Sequence, residues 1–186
     1  MGNSYYYFIS SLPLVSLEGK LPLSTEEFLS YAGEHLTNRE LGMLRSVLSG
    51  ENMPSIESND FIHKWNVFNH DLSNEKARFR AQLNGKDPLN SLIHPVKENY
   101  NLAAVINQAQ EAANPFLAEK TIDSARWSHL EELTFGHYFD FEYIVSYAIK
   151  LQIAERYSRY SLDDHKSIYR GYEEKAKEEK LYEIFG

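Results

Sequence analysis

The hydrophobic pattern is densest between Phe139 and Tyr160, where FDFEYIVSYAIKLQIAERYSRY runs without Pro or Gly. That length allows about six helical turns. At about 100° per residue, Phe141, Tyr143, Ile144, Val145, Tyr147, Ala148, Leu151 and Ala154 share one broad arc, with Glu142, Ser146 and Lys150 in a narrow polar strip opposite. An apolar arc that wide needs neighbours on more than one side, which predicts a central, mostly buried helix. Glu155 falls inside the arc near its C-terminal end, and Arg159 stands four residues on, in the favourable order for an ion pair. The plainer reading is a helix that turns to solvent in its last turns.

The rest of the chain reads as shorter helices around this one. Tyr5 to Leu12 is an apolar run ended by Pro13, open to a short helix or an extended segment, and Leu14 to Leu23 reads as loop. Ser24-Thr-Glu-Glu27 and Thr37-Asn-Arg-Glu40 are capping boxes, each ahead of an apolar stretch and a Gly stop, at Gly33 and Gly50. Met53-Pro54-Ser55 is a connector. From Asn59 to Asn84, Phe61, Trp65, Phe68, Leu72, Phe79 and Leu83 recur at the spacing of a helix–helix seam. Leu89 to Val96 reads as a connector, Leu102 to Ala113 as a helix, and Phe116 to Phe135 as one or two helices. Ser161-Leu-Asp-Asp164 opens a last helix whose EEKAKEEK run pairs Glu173 with Lys177 on a solvated face. No strand alternation, fixed repeat or low-complexity linker interrupts this. The fold class is all-α: an irregular bundle of about 6–8 helices in one domain, residues 1–186.

Composition narrows the function. The net charge of −8 argues against a nucleic-acid partner, since phosphate contacts need clustered Lys and Arg. Without Cys there is no disulfide, thiolate metal site or Cys nucleophile, as suits a reducing cytoplasmic setting. No apolar run approaches a membrane span, and no secretory signal or myristoylation pattern opens the chain. The 13 Tyr and 10 Phe are unusually many for 186 residues, and point to aromatic helix packing or a partner-binding face.

Catalytic motifs are scarce. GxGxxG, GxxxxGK[ST], HExxH and GxSxG are all absent. Two metal or acid–base groupings can be drawn: Asp60 and His63 with His70, and His129 with Glu132 and His137. Against them stand a surface pair at a helix start, two His separated by two turns, and structural histidines at the 135–138 bend. Lys76, Arg78 and Arg80 cluster at the end of the long helix, either as solvated charges complementing the helix C-terminus or as a site for an acidic partner surface.

Two segments carry a resemblance. Trp65 to Gly85, marked by Trp65, Leu72, Asn74, Arg78, Arg80 and Ala81, and Ser124 to Tyr157, marked by Tyr147, Lys150, Leu151 and Arg156, together with the opening YYYFISSLP, resemble a bacterial family of uncharacterised proteins encoded in V-type (archaeal-like) ATPase operons. That family is in turn distantly similar to the central-stalk subunit of the ATPase, the helical piece that seats the rotor shaft on the membrane ring. The chain is shorter than a full central-stalk subunit, so the resemblance implies part of its three-lobed funnel. It further implies a non-enzymatic cytoplasmic protein without cofactors. Its expected partners are V-type ATPase subunits, with Arg78, Arg80 and Lys76 as the contact residues and no direct membrane insertion.

Overall fold

The computed structural model describes residues 4–50, 59–85 and 101–159. Among them seven helices and no strand occur: α1 (Ser4–Ser11), α2 (Thr25–Ala32), α3 (Asn38–Ser49), α4 (Asp60–Leu83), α5 (Leu102–Gln110), α6 (Pro115–Thr134) and α7 (Phe141–Arg159). The expected connectors at 53–55 and 89–96 and the last helix with its Glu173–Lys177 pair lie outside the described residues.

Helix boundaries follow from local chemistry. Both capping boxes form: Ser24 Oγ accepts from Glu27 N–H while Glu27 Oε2 accepts from Ser24 N–H at 2.7 Å. Thr37 and Glu40 repeat the exchange, with 2.8 Å for Thr37 N–H to Glu40 Oε2. Each box satisfies N–H groups that a helix start otherwise leaves unpaired. α3 stops at Gly50, whose φ of 73° closes the last turn in a left-handed conformation that costs glycine nothing. Asn114 caps α6 with Pro115 at its first position, so the Asn-Pro pair starts the helix and the span to Thr134 is a single element. The apolar run after Ser4 is a helix.

α7 packs against α2, α3, α4 and α6, while α5 lies between α4 and α6. Ile144, Val145, Ala148 and Leu151 are fully buried, and Ile149, Ile153 and Ala154 nearly so. The expected arc is therefore correct but too narrow. From Phe141 to Ser158 only Gln152 and Arg156 are exposed. The narrow polar strip is an interior one: Ser146 is 2% exposed and accepts from Thr134 Oγ1 at 2.6 Å. Lys150 lies over the Trp127 ring, 5.2 Å from its centroid, with Glu131 at 3.5 Å. The helix begins at Phe141, two residues later than the pattern suggests. Asp140 Oδ1 takes the Tyr143 N–H at 3.0 Å as a cap and leaves Phe139 outside, half-exposed. Glu155 does not turn to solvent either; it is half-buried and accepts from the Thr25 N–H at 3.1 Å, in the first turn of α2. A carboxylate there is held by the positive end of the helix dipole.

The rest of the core grows outward from α7. Trp65, Phe68 and Leu72 of α4 are buried as the seam pattern requires, but the seam ends early, because Leu83 is 70% exposed. Phe28 joins α7 to α1, its ring 5.2 Å from Tyr147 and 6.0 Å from Phe8. Tyr147 also donates to the Pro13 carbonyl at 2.8 Å, which pins the loop before α2; burial pushes its phenol up to about 12.

Leu151 sits at the centre of this packing, so Leu151→Ala is expected to cost about 2–5 kcal/mol. Urea unfolding followed by tryptophan fluorescence measures it. A loss under about half a kcal/mol contradicts the central position of α7.

Candidate functional site

The structure disperses the first His grouping. Asp60 pairs with Lys64 at 2.8 Å, and His63 and His70 are both exposed on different turns of α4. The second is split. His129 is buried, its ring stacked 4.0 Å from Phe68, with Nδ1 3.8 Å from Glu132. His137 turns instead to Asp140, Nδ1 to Oδ2 at 2.6 Å. Among the described residues, the one group of three or more such side chains with ligand atoms within 4.8 Å of each other is His137, Asp140 and Glu142. Its atoms have structural duties: Asp140 caps α7, and Glu142 Oε1 accepts from Asn59 Nδ2 at 2.9 Å, joining the starts of α4 and α7.

The cationic cluster is divided as well. Arg78 Nη1 bonds Glu75 Oε1 at 2.7 Å within its own helix. Lys76 is half-buried with Glu119 at 3.7 Å; burial pushes its pKa down, against the Glu119 charge and with the nearby Arg126 and Arg80 charges. Arg80 is exposed and forms no ion pair among the described residues.

Two features stand out that sequence reasoning missed. One is an aromatic patch. Tyr6 and Tyr7 of α1 project from the bundle beside the α6–α7 turn, where Phe135, Tyr138 and Phe139 are exposed. Tyr6 lies 4.7 Å from Phe139 and 5.6 Å from Tyr7, ring centre to ring centre. Gly136, at φ 90°, supplies the left-handed turn residue that carries these rings outward. Carboxylates stand beside the patch: Asp140 and Glu142, and Glu40, which accepts a hydrogen bond from the Tyr5 hydroxyl. Burial and this bond, then the Glu142 and Asp140 charges, push the Tyr5 phenol up.

The other feature is a cleft of about 390 Å³ between α3, α4, α6 and α7. At its wall, Asp123 is 4% exposed and Oδ1 accepts from both Arg126 Nη1, at 2.8 Å, and Arg156 Nη2. Arg126 Nε reaches Asn69 Oδ1 at 3.3 Å. The Asp123-x-x-Arg126 spacing is visible in sequence, but Arg156 stands on another helix and only the fold brings it to the same oxygen.

Glu40 supplies a pH test of the aromatic end. Its burial raises the pKa, but the bonds from Tyr5 and Thr37 outweigh this and hold it below the ordinary value. A depressed carboxylate contributes stability above its unfolded pKa, about 4.3, and loses it as pH falls through the folded value. Wild type is therefore expected to exceed Glu40→Gln in stability at neutral pH, with the gap closing below about pH 4. Urea midpoints across the pH range measure this, and a gap independent of pH contradicts it.

Residues 96–179, less than half of the chain, match the model of a family described as "Protein of unknown function (DUF2764)". The match takes in α5, α6 and α7, and with them Asp123, Arg126, Arg156 and the α6–α7 turn. No curated protein and no solved structure matches the chain.

Proposed function

We propose that this protein is a non-catalytic helical partner of a V-type rotary ATPase, acting as a component like its central-stalk subunit or as an accessory or assembly factor. The observation that carries the reading is the exposed aromatic patch of Tyr6, Tyr7, Phe135, Tyr138 and Phe139. Exposed rings gathered at one place on a helical bundle fit a protein interface, where aromatic residues and Arg are enriched. The resemblance carried by Trp65–Gly85 and Ser124–Tyr157 supplies the partner class.

The placement of charge supports a two-ended role. The patch lies at the N-terminal end of α4, since Phe61 packs edge-on against His137 at 5.8 Å. Arg78 and Arg80 sit roughly 28 Å further along the same helix, by rise per residue. A coupling piece must hold one partner at each end and resist bending between them. The buried α7, packed against four helices, supplies that stiffness. At the far end, the planar guanidinium of Arg80 suits bidentate pairing with partner carboxylates, with Arg78 and Lys76 beside it. Neither end requires a cofactor. Such a protein works on the cytoplasmic side and reaches the membrane only through the ATPase; among the described residues no helix is long and apolar enough to cross one.

Capture of native ATPase subunits by the tagged protein, identified by mass spectrometry, tests this. Wild type is expected to capture ATPase subunits, and Tyr7→Ser with Phe135→Ser to lose at least one of them at an unchanged melting temperature. Arg78→Ala with Arg80→Ala is expected to lose a different contact. If wild type captures no ATPase subunit, the reading fails.

A further inference from the structure

We propose that the cleft between α3, α4, α6 and α7 is a binding site for a small anionic ligand bearing a phosphate or carboxylate group, held by Arg126 and Arg156. The cleft faces the one open stripe of α7, where Gln152 and Arg156 are exposed. Its volume, about 390 Å³, suits a small organic molecule.

Charge decides the ligand class. Among the described residues, no Asp or Glu lines the cleft, although the chain as a whole carries a net charge of −8. Behind the wall, one carboxylate oxygen of Asp123 serves two guanidinium groups, and among the described residues neither Arg126 nor Arg156 forms a second ion pair. Among the described residues, no acceptor engages Arg126 Nη2 or Arg156 Nε and Nη1. Asp123 thus holds two forks in place, and their remaining N–H groups match the oxygens of a phosphate or carboxylate.

The neighbouring groups present few open acceptors, because most are already bonded within the fold. At the C-terminal end of α3, the Ser46 and Val47 carbonyls take the Gly50 N–H, and the Leu48 carbonyl takes Gln152 Nε2 at 3.0 Å. Asn69 is committed at both ends, its oxygen to Arg126 and its nitrogen to the Trp65 carbonyl at 3.0 Å. Asn66 and His70 line the opening beyond it. The cleft is therefore cationic, with the guanidinium N–H groups as its open donors, a setting in which an oxyanion replaces water at little reorganisation cost.

Titration of the full chain with inorganic phosphate, and in a parallel arm with malonate, tests this by ¹H–¹⁵N resonances at constant ionic strength. The expected result is a saturable shift confined to the cleft-lining residues. Arg156→Gln should weaken it roughly tenfold or more, the scale of a lost charged hydrogen bond, and Arg156→Lys, which keeps the charge but not the fork, by less. Asn66→Asp keeps the side chain's shape, places a carboxylate at the opening and is expected to abolish the shift, which guards against a folding defect in the Arg variant. Saturation by phosphate alone assigns a phosphate ligand, and saturation by malonate alone a carboxylate. A response that fails to saturate with either anion, or that persists unchanged in both Arg156→Gln and Asn66→Asp, overturns the proposal.

Discussion

The fold depends on a helix with almost no face to spare. Because α7 is buried nearly all round, neighbours must cover it on all but the stripe of Gln152 and Arg156, and the polar side chains it carries against them must find partners. The partners are spread over the molecule. Glu142 takes the side chain of the α4 cap Asn59, Ser146 meets Thr134 of α6, and Tyr147 reaches the Pro13 carbonyl. Gln152 closes the end of α3, Glu155 holds the start of α2, and Arg156 joins Asp123 of α6. Hydrophobic burial supplies most of the favourable free energy but has no direction. These six bonds supply the direction, fixing where the surrounding elements meet the central helix.

That division explains what could be read from the sequence. Helix starts and stops are local, so Ser24 with Glu27, Thr37 with Glu40 and Gly50 could be placed from a few adjacent residues. The apolar arc of α7 was legible for the same reason. Its extent was not, because Ser146 and Lys150 look like a solvent strip until Thr134, Trp127 and Glu131 are packed against them. Leu83 fits the seam of α4 by spacing and is nevertheless exposed, since spacing fixes a face and not where the neighbouring helix ends.

Functional residues were harder to read for the same physical reason. His129 and Glu132 are close in sequence and in space, but His137 belongs to the next turn and pairs with Asp140. Arg78 and Arg80 are two residues apart on a helix and so face different directions; one bonds Glu75, while the other is exposed. Arg126 and Arg156 meet on one Asp123 oxygen only because α6 and α7 are packed together. The aromatic surplus was visible in the composition, yet its sorting into buried rings such as Phe8 and Phe28 and exposed ones such as Tyr7 and Phe135 is set by tertiary packing.

Native-state hydrogen exchange tests the organising role of α7 most directly, because it ranks helices by the free energy needed to open them. The amides of Ile144 to Ala154 are expected to exchange slowest among the described helices, at the limit set by global unfolding. Exchange there as fast as in α5 or α1 would contradict a fold built around α7.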